Sequence, residues 1–477
     1  MENYTPDYFF DDVPEQKKRQ QRKFPTILLG AGIFLCLTVF TIHLGVSTHR
    51  LINPENPTEL DDEQKLALIE KLAQTYPEEI VKPLPYNTIP ADLMVNAESA
   101  IIIDQETGNV LYEKNADMEI PPASMTKLVE MYVVYEAVRN GEVSFDDYVP
   151  LPPQSWAKNL PSDASIMFLA EGQRVTLREL LLGLAIASGN DASIAVANYV
   201  CDDMDSFVER MNKVIKNLGL EKTHFVESSG YSEKNITTAR EFVSFCRIYL
   251  RDFPESIDNY HSQKVLMYPL EKNLPLDQKY KGDSEAVIQY NTNKLLGILE
   301  GCDGLKTGFI DESGYNIALT AQRGERRFIS VTMKGPGKGS VQGNKYRVKD
   351  GTTLMEFAFS KFAPYIPKEK GHSFVVGCAG SAEKSIRLIP ALDEKFSVPF
   401  ITGNSPEDAA SKIHVTANIP SYLYGQVECG QELGLLTYSL EGKTLRTIPL
   451  VADRKSQRQN IFGRLWGKIV YKTAGLF

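Results

Sequence analysis

Three places in the chain set a lysine three residues after a serine: Ser124/Lys127, Ser155/Lys158 and Ser381/Lys384. A serine hydroxyl attacks a carbonyl only when a base takes its proton. A lysine amine serves as that base when burial or a nearby positive charge lowers its pKa. On a helix this spacing puts both groups on one side, a turn apart. Only Ser124 follows a proline pair and an alanine, and only Ser124 opens a run with Leu128, Met131, Tyr132 and Tyr135 on one helical face. The start of such a helix also offers backbone N–H groups to a developing oxyanion. Helix capping is the plain alternative for Ser124.

Two further motifs carry compatible chemistry. Ser188-Gly189-Asn190, the sole Ser-x-Asn, falls between two apolar helical runs. There a hydroxyl and an amide side by side can relay a proton and hold a substrate amide; capping at a glycine turn is the competing role. Lys306-Thr307-Gly308, the sole Lys-Thr-Gly, starts a β-like run that can form a sheet edge. Gly308 permits close backbone approach. Lys306 supplies a positive charge for Lys127 and, with Thr307, a site for a carboxylate; a solvated edge lysine is the alternative.

The elements that must position these residues follow from periodicity. Ser99–Asp104 and Val110–Lys114 read as a hairpin about Glu106-Thr107-Gly108-Asn109. Leu128–Arg139, Leu177–Ala187 and Asp191–Asn217 have helical apolar spacing. Gly304–Ile310, Tyr315–Ala321 and Arg327–Met333 read as strands. A strand pair, a helical cluster and further strands predict an α/β (α+β) domain, a sheet with helices on its faces. Beyond Pro364, short strand-like runs from His372 to Val451 predict a small all-β sandwich.

The ends differ from the body. Gln16–Lys23 and Arg454–Phe477 are basic and contain no acid, although the whole chain carries −9. The body between them is therefore acidic and repels nucleic acid. Ile27–Val46 has no charged residue and is long enough to span a bilayer. The basic cluster before it predicts a cytoplasmic start and an exported body. The length favours an uncleaved anchor over a signal peptide. Asn53–Asp62, rich in prolines and acids, reads as a stalk. Ile461, Phe462, Leu465, Trp466, Ile469 and Val470 share one helical face, with Arg464, Lys468 and Lys472 off it. That pattern fits a helix lying in the headgroup region; packing on the protein itself is the alternative. Six cysteines form no CxxC, and six histidines never approach HExxH spacing, so no metal site is expected. Whether Cys378 pairs with Cys429 stays open.

All three motifs in this order are the combination found in penicillin-binding proteins and class A β-lactamases. The chain resembles the low-molecular-mass penicillin-binding proteins, serine-type D-alanyl-D-alanine carboxypeptidases of the SxxK/SxN/KTG kind. The likeness extends through Pro122–Lys127, Met167-Phe168-Leu169, Ala187–Ala192, Asn291–Leu296, Asp303–Gly308 and Gly314-Tyr315-Asn316, and covers about Pro85–Phe362. It implies a penicillin-binding/β-lactamase-like transpeptidase domain that removes the terminal D-alanine from peptidoglycan stem pentapeptides through an acyl-enzyme and is inhibited by β-lactam antibiotics. No cofactor is implied. Ser124 would be the nucleophile, Lys127 its base and Ser188 the proton relay. Asn190 would hold the peptide amide, and Lys306, Thr307, Gly308 and Arg347 would line the carboxylate site. Backbone N–H groups of Ser124 and Phe309 would form the oxyanion hole. The chain departs from the family at Ile310, where many members have threonine, in Ser228–Tyr231 and in a long glycine-rich stretch, Gly335–Gly343. The same resemblance leaves a D,D-endopeptidase, a β-lactamase and a silent wall-binding protein as rivals.

The expected organisation is a cytoplasmic segment (1–23), a transmembrane anchor (24–48), a stalk (49–84), a D,D-peptidase domain (85–365), a β-sandwich (370–453) and a membrane-surface helix (456–477). The lipid bilayer is thus an expected partner at 24–48 and 456–477. The catalytic domain is expected on the outer face of the cytoplasmic membrane.

Overall fold

The computed structural model describes residues 26–76, 81, 93–275, 286–365, 371–399, 411–440 and 442–476. The basic segment 1–23 and most of the chain between the stalk and the first strand lie outside the described residues. Thr26–Ile52 (α1) is one helix, and its portion Gly32–Ile52 is long and apolar enough to cross a membrane. Asp62–Thr75 (α2) follows, capped by the Asp61 carboxylate on the Gln64 N–H.

The hairpin forms at the expected residues, Ser99–Asp104 (β1) and Val110–Lys114 (β2). Cys302–Ile310 (β3), Gly314–Arg323 (β4) and Arg326–Gly335 (β5) complete a sheet of order β2-β1-β5-β4-β3. Every neighbouring pair is antiparallel, so the domain is α+β, and β3 is an edge strand. Both sheet faces are dry. Ile101, Ile103, Ile329 and Val331 point into one core, and Ala100, Ile102, Ile317 and Leu319 into another. This is the period-two alternation of a strand covered on both sides.

The first face is covered by Lys127–Arg139 (α3), Leu177–Leu182 (α4), Asn190–Cys201 (α5), Met204–Asn217 (α6) and Ala239–Asp252 (α7). The second is covered by Gly339–Lys361 (α8). The single helix expected over Asp191–Asn217 is two. Asp202 turns to φ +61°, and the Asp203 carboxylate accepts the Ser206 N–H, stopping one helix and starting the next.

The C-terminal β unit contains Phe374–Ala379 (β6), Ser385–Pro390 (β7), His414–Asn418 (β8), Tyr422–Tyr424 (β9), Glu432–Leu440 (β10) and Lys443–Ala452 (β11). They form one sheet of order β8-β10-β11-β7-β6-β9. A second ladder, Phe362–Tyr365 with Phe396–Pro399, adds Phe396 and Val398 to the same core as Ile386, Leu436 and Tyr438. Cys378 and Cys429 are both free thiols, bonded to the carbonyls of Gly425 and Asp453 respectively.

The stretch read as a stalk is docked on this unit over its described part. Ser385 Oγ donates to the Glu55 carbonyl at 2.7 Å, Arg387 grips the Glu59 carboxylate at 2.8 and 3.1 Å, and Lys71 donates to the Cys429 carbonyl. Of the acids that suggested a solvated linker, Glu59 thus meets a basic partner on this unit. The last helix, Ile461–Ala474 (α9), divides its apolar residues. Val470 and Ala474 pack with Leu51 and Ala379, and Trp466 stacks 4.9 Å from His43 and meets Phe40 edge-on at 5.4 Å. Ile461, Phe462, Leu465 and Ile469 stay exposed.

Candidate active site

Ser124 lies in a single 3-10 turn, Ala123–Thr126, which leads directly into α3 at Lys127. The turn is tight: Ala123 has φ +50°, a left-handed conformation that costs an alanine about 1–3 kcal/mol and is held by its surroundings. Two glycines press on it. A Cβ at Gly308 would come 2.5 Å from the Pro122 carbonyl oxygen, and one at Gly230 would come 1.9 Å from that of Ala123. Strand β3 and the Ser228–Tyr231 stretch can approach the nucleophile only because those positions lack side chains.

Lys127 is fully buried, with its Nζ 3.2 Å from Ser124 Oγ and 2.8 Å from Asn190 Oδ1; it also donates to the Ser229 carbonyl. Burial lowers its pKa, against the opposing pull of Glu130, Glu227 and Asp191. Desolvation, rather than the Lys306 charge expected from sequence, is the main cause. Asn190 is the first residue of α5, where its N–H donates to the Ser165 carbonyl at 2.7 Å. Next to it, the Asp191 carboxylate accepts the N–H groups of Met167 and Leu169, fixing that segment beside the turn.

Ser188 adopts φ +60° at the end of a wide helical turn, which aims its hydroxyl at β3. Lys306 Nζ donates to Ser188 Oγ at 2.9 Å and to the Thr307 carbonyl at 3.0 Å. Burial first, then the cations Lys127 and Arg347, hold the Lys306 pKa well below the usual lysine range. Thr307 Oγ1 shares a hydrogen bond with Thr292 Oγ1 at 2.7 Å. Arg347, reaching in from α8, donates to the Gly308 carbonyl and to Asn344 Oδ1, and its guanidinium covers the Tyr315 ring at 4.9 Å. Burial lowers its pKa to about 10. Phe309 stacks on Tyr315 with 4.4 Å between ring centres.

These groups surround one cleft of about 930 Å³, lined among others by Ser124, Ser188, Thr307, Gly308, Phe309 and Arg347. Lys127, Asn190 and Lys306 sit behind that lining, within hydrogen-bond reach of it. All the residues singled out from the sequence therefore meet around one space. The other two serine–lysine pairs do not. Ser155 Oγ is tied to the Pro152 carbonyl while Lys158 pairs with Glu171, and Ser381 bonds Ser456 in the β unit.

Sequence reasoning missed three contributors. One is the Ser229 carbonyl. Another is the Glu227 carboxylate, which gathers the N–H groups of Ser229 and Gly230 and the Asn235 amide. The third is Glu130, buried one turn beyond Lys127. An acid set directly before a Ser-Ser-Gly stretch was the available signal for Glu227. Chemically, the arrangement offers a hydroxyl beside a buried amine, a second hydroxyl beside a second amine, and cations along an edge strand.

Comparison with known proteins finds relatives in both sequence and fold. The family model described as D-alanyl-D-alanine carboxypeptidase matches residues 86–337. The chain is 30% identical over 369 residues to D-alanyl-D-alanine carboxypeptidase DacF of Bacillus subtilis, covering 77% of this chain and 88% of that one. It is 29% identical over 381 residues to DacA of Escherichia coli K12, covering 79% and 88%. Among solved structures, penicillin binding protein 5 from Haemophilus influenzae superposes with a TM-score of 0.66 at 26% identity, covering 78% of this chain and 100% of that one.

Proposed function

Because the chain belongs to the D-alanyl-D-alanine carboxypeptidase family of serine hydrolases, we propose that it removes the terminal D-alanine from peptidoglycan stem pentapeptides through an acyl-enzyme on Ser124. The observation that carries this reading is the 3.2 Å contact between Lys127 Nζ and Ser124 Oγ at the cleft. Lys127 takes the Ser124 proton as Oγ attacks the D-Ala-D-Ala carbonyl. The oxyanion forms against the backbone N–H groups of Ser124 and Phe309. Ser188, bonded to Lys306, passes a proton to the leaving amine, while Asn190 holds the peptide amide. Lys306, Thr307 and Arg347 receive the terminal carboxylate, with Gly308 letting the strand come close. Water then releases the shortened peptide.

On the same reading, β-lactams acylate Ser124 and stay attached, because their leaving group remains tethered. A β-lactamase would need a carboxylate to drive rapid deacylation; Glu255, in the pattern Glu255-x-x-x-Asn259, superficially resembles such a motif, but it is exposed and outside the cleft lining. The body works on the outer side of the cytoplasmic membrane, held by α1 and by the exposed apolar residues of α9. The test is release of D-alanine from a peptide ending in D-Ala-D-Ala. One equivalent per peptide, lost in Ser124→Ala, is expected; cleavage only of a cross-linked dimer would make the enzyme an endopeptidase.

A further inference from the structure

Three carboxylates act on the Lys127 amine: Asp191, Glu227 and Glu130. Two of them are committed elsewhere. Asp191 accepts the N–H groups of Met167, Leu169 and Ala192, and Glu227 accepts those of Ser229, Gly230 and Ser232 together with the Asn235 amide. Glu130 differs. It is fully buried, and its Oε2 accepts one hydroxyl, that of Ser193, at 2.8 Å. Ser193 in turn shares a hydrogen bond with Ser228 at 2.7 Å, next to the residue whose carbonyl holds Lys127. Glu130 Oε1 has no hydrogen-bond partner among the described residues. Glu130 follows Lys127 by one helical turn, so the two side chains lie on one side of α3.

We propose that Glu130 is a positioning residue whose carboxylate keeps the buried Lys127 amine basic enough to accept the Ser124 proton. This rests on the reading of Lys127 as the base. Burial weakens the amine as a proton acceptor, and a base pushed too low captures the serine proton poorly. An ionised carboxyl a turn away restores basicity. The hydroxyl proton moves from Ser124 to Lys127 as the Oγ–C bond forms, and it leaves with the departing amine as the C–N bond breaks. Burial, the dominant influence, raises the Glu130 pKa to about 8; the Lys127 charge and the Ser193 hydroxyl favour its ionised form, and the like charge of Glu227 opposes it.

The test is the pH profile of acylation by a fluorescent penicillin, measured on the full-length protein in detergent as wild type, Glu130→Gln and Ser193→Ala. The reaction needs the free amine and is lost as pH falls through the Lys127 pKa. Removing a negative neighbour lowers that pKa, so in Glu130→Gln the acid limb moves to lower pH by about one unit. The plateau rate falls roughly tenfold because the base is weaker. Ser193→Ala, which removes only the hydrogen bond favouring the ionised carboxyl, moves the limb the same way by less. An acid limb that superposes on wild type, or moves upward, overturns the proposal; a lower melting temperature with an unmoved limb does so too, leaving Glu130 a packing residue. If Glu130→Gln does not fold, Ser193→Ala decides by the same criterion. A wild type that forms no adduct and releases no D-alanine overturns the functional reading and this inference together.

Discussion

Two lysines, Lys127 and Lys306, are buried around one cleft, and their burial is a cost to folding. The folded-state pKa of Lys306 lies well below its unfolded value. At any pH below the unfolded lysine pKa, folding must therefore either strip a proton or bury a charge. Lys306→Met keeps the volume and removes that cost. We expect stability at neutral pH to rise by about 1 kcal/mol and penicillin acylation to fall about a hundredfold. A less stable variant that is still acylated at the wild-type rate would contradict this. Thermal unfolding and adduct formation measure the two effects. At this scale the sequence exposed the residues whose chemistry leaves few choices: Ser124, Lys127, Ser188, Asn190, Lys306 and Thr307. It hid the Ser229 carbonyl, because a backbone atom has no letter of its own. It hid Glu130 because periodicity assumes one wet helix face, whereas α3 is buried on every side from Lys127 to Tyr135.

At the scale of elements, the strands were legible because alternation and turn residues agree, as in the β1–β2 hairpin. The helices were less so. Asp191–Asn217 reads as one amphipathic run, and only the consecutive Asp202-Asp203 marks the break. Helix α7 was passed over although Thr238 caps it and Glu241 stands three residues later, a common start signal. It carries Phe242, Phe245 and Tyr249 onto the sheet, each a side chain whose burial contributes about 1.5–3 kcal/mol. The glycine-rich stretch looked like a loop, yet α8 begins inside it at Gly339 and carries Arg347 to the cleft. What organises the site is the close approach of β3 to the 3-10 turn at Gly308, a contact between segments far apart in the sequence that local pattern does not reveal.

For the whole molecule, the helices α1 and α9 converge on the C-terminal β unit. Helix α1 and the segment after it lie against β6, β7 and α9, so the C-terminal β unit is tied to the helix able to cross a bilayer. Trp466 sits between that helix and the exposed apolar residues of α9. In proteoliposomes of the full-length protein carrying Trp156→Phe, we expect Trp466 emission to be quenched at least about twofold by lipids brominated near the headgroup, as for an interfacial helix. Unquenched emission would mean that α9 serves only to pack on its own chain.

The proposed catalysis turns on Ser124 as a nucleophile activated by Lys127. Its most direct test is the intact mass of the full-length protein after incubation with penicillin, with the modified residue located by peptide mapping. A single lasting penicilloyl adduct on Ser124, absent in Ser124→Ala and in Lys127→Ala proteins that melt as the wild type does, is the predicted result. Adduct formation that survives Ser124→Ala, or a wild type that remains unlabelled, would contradict it.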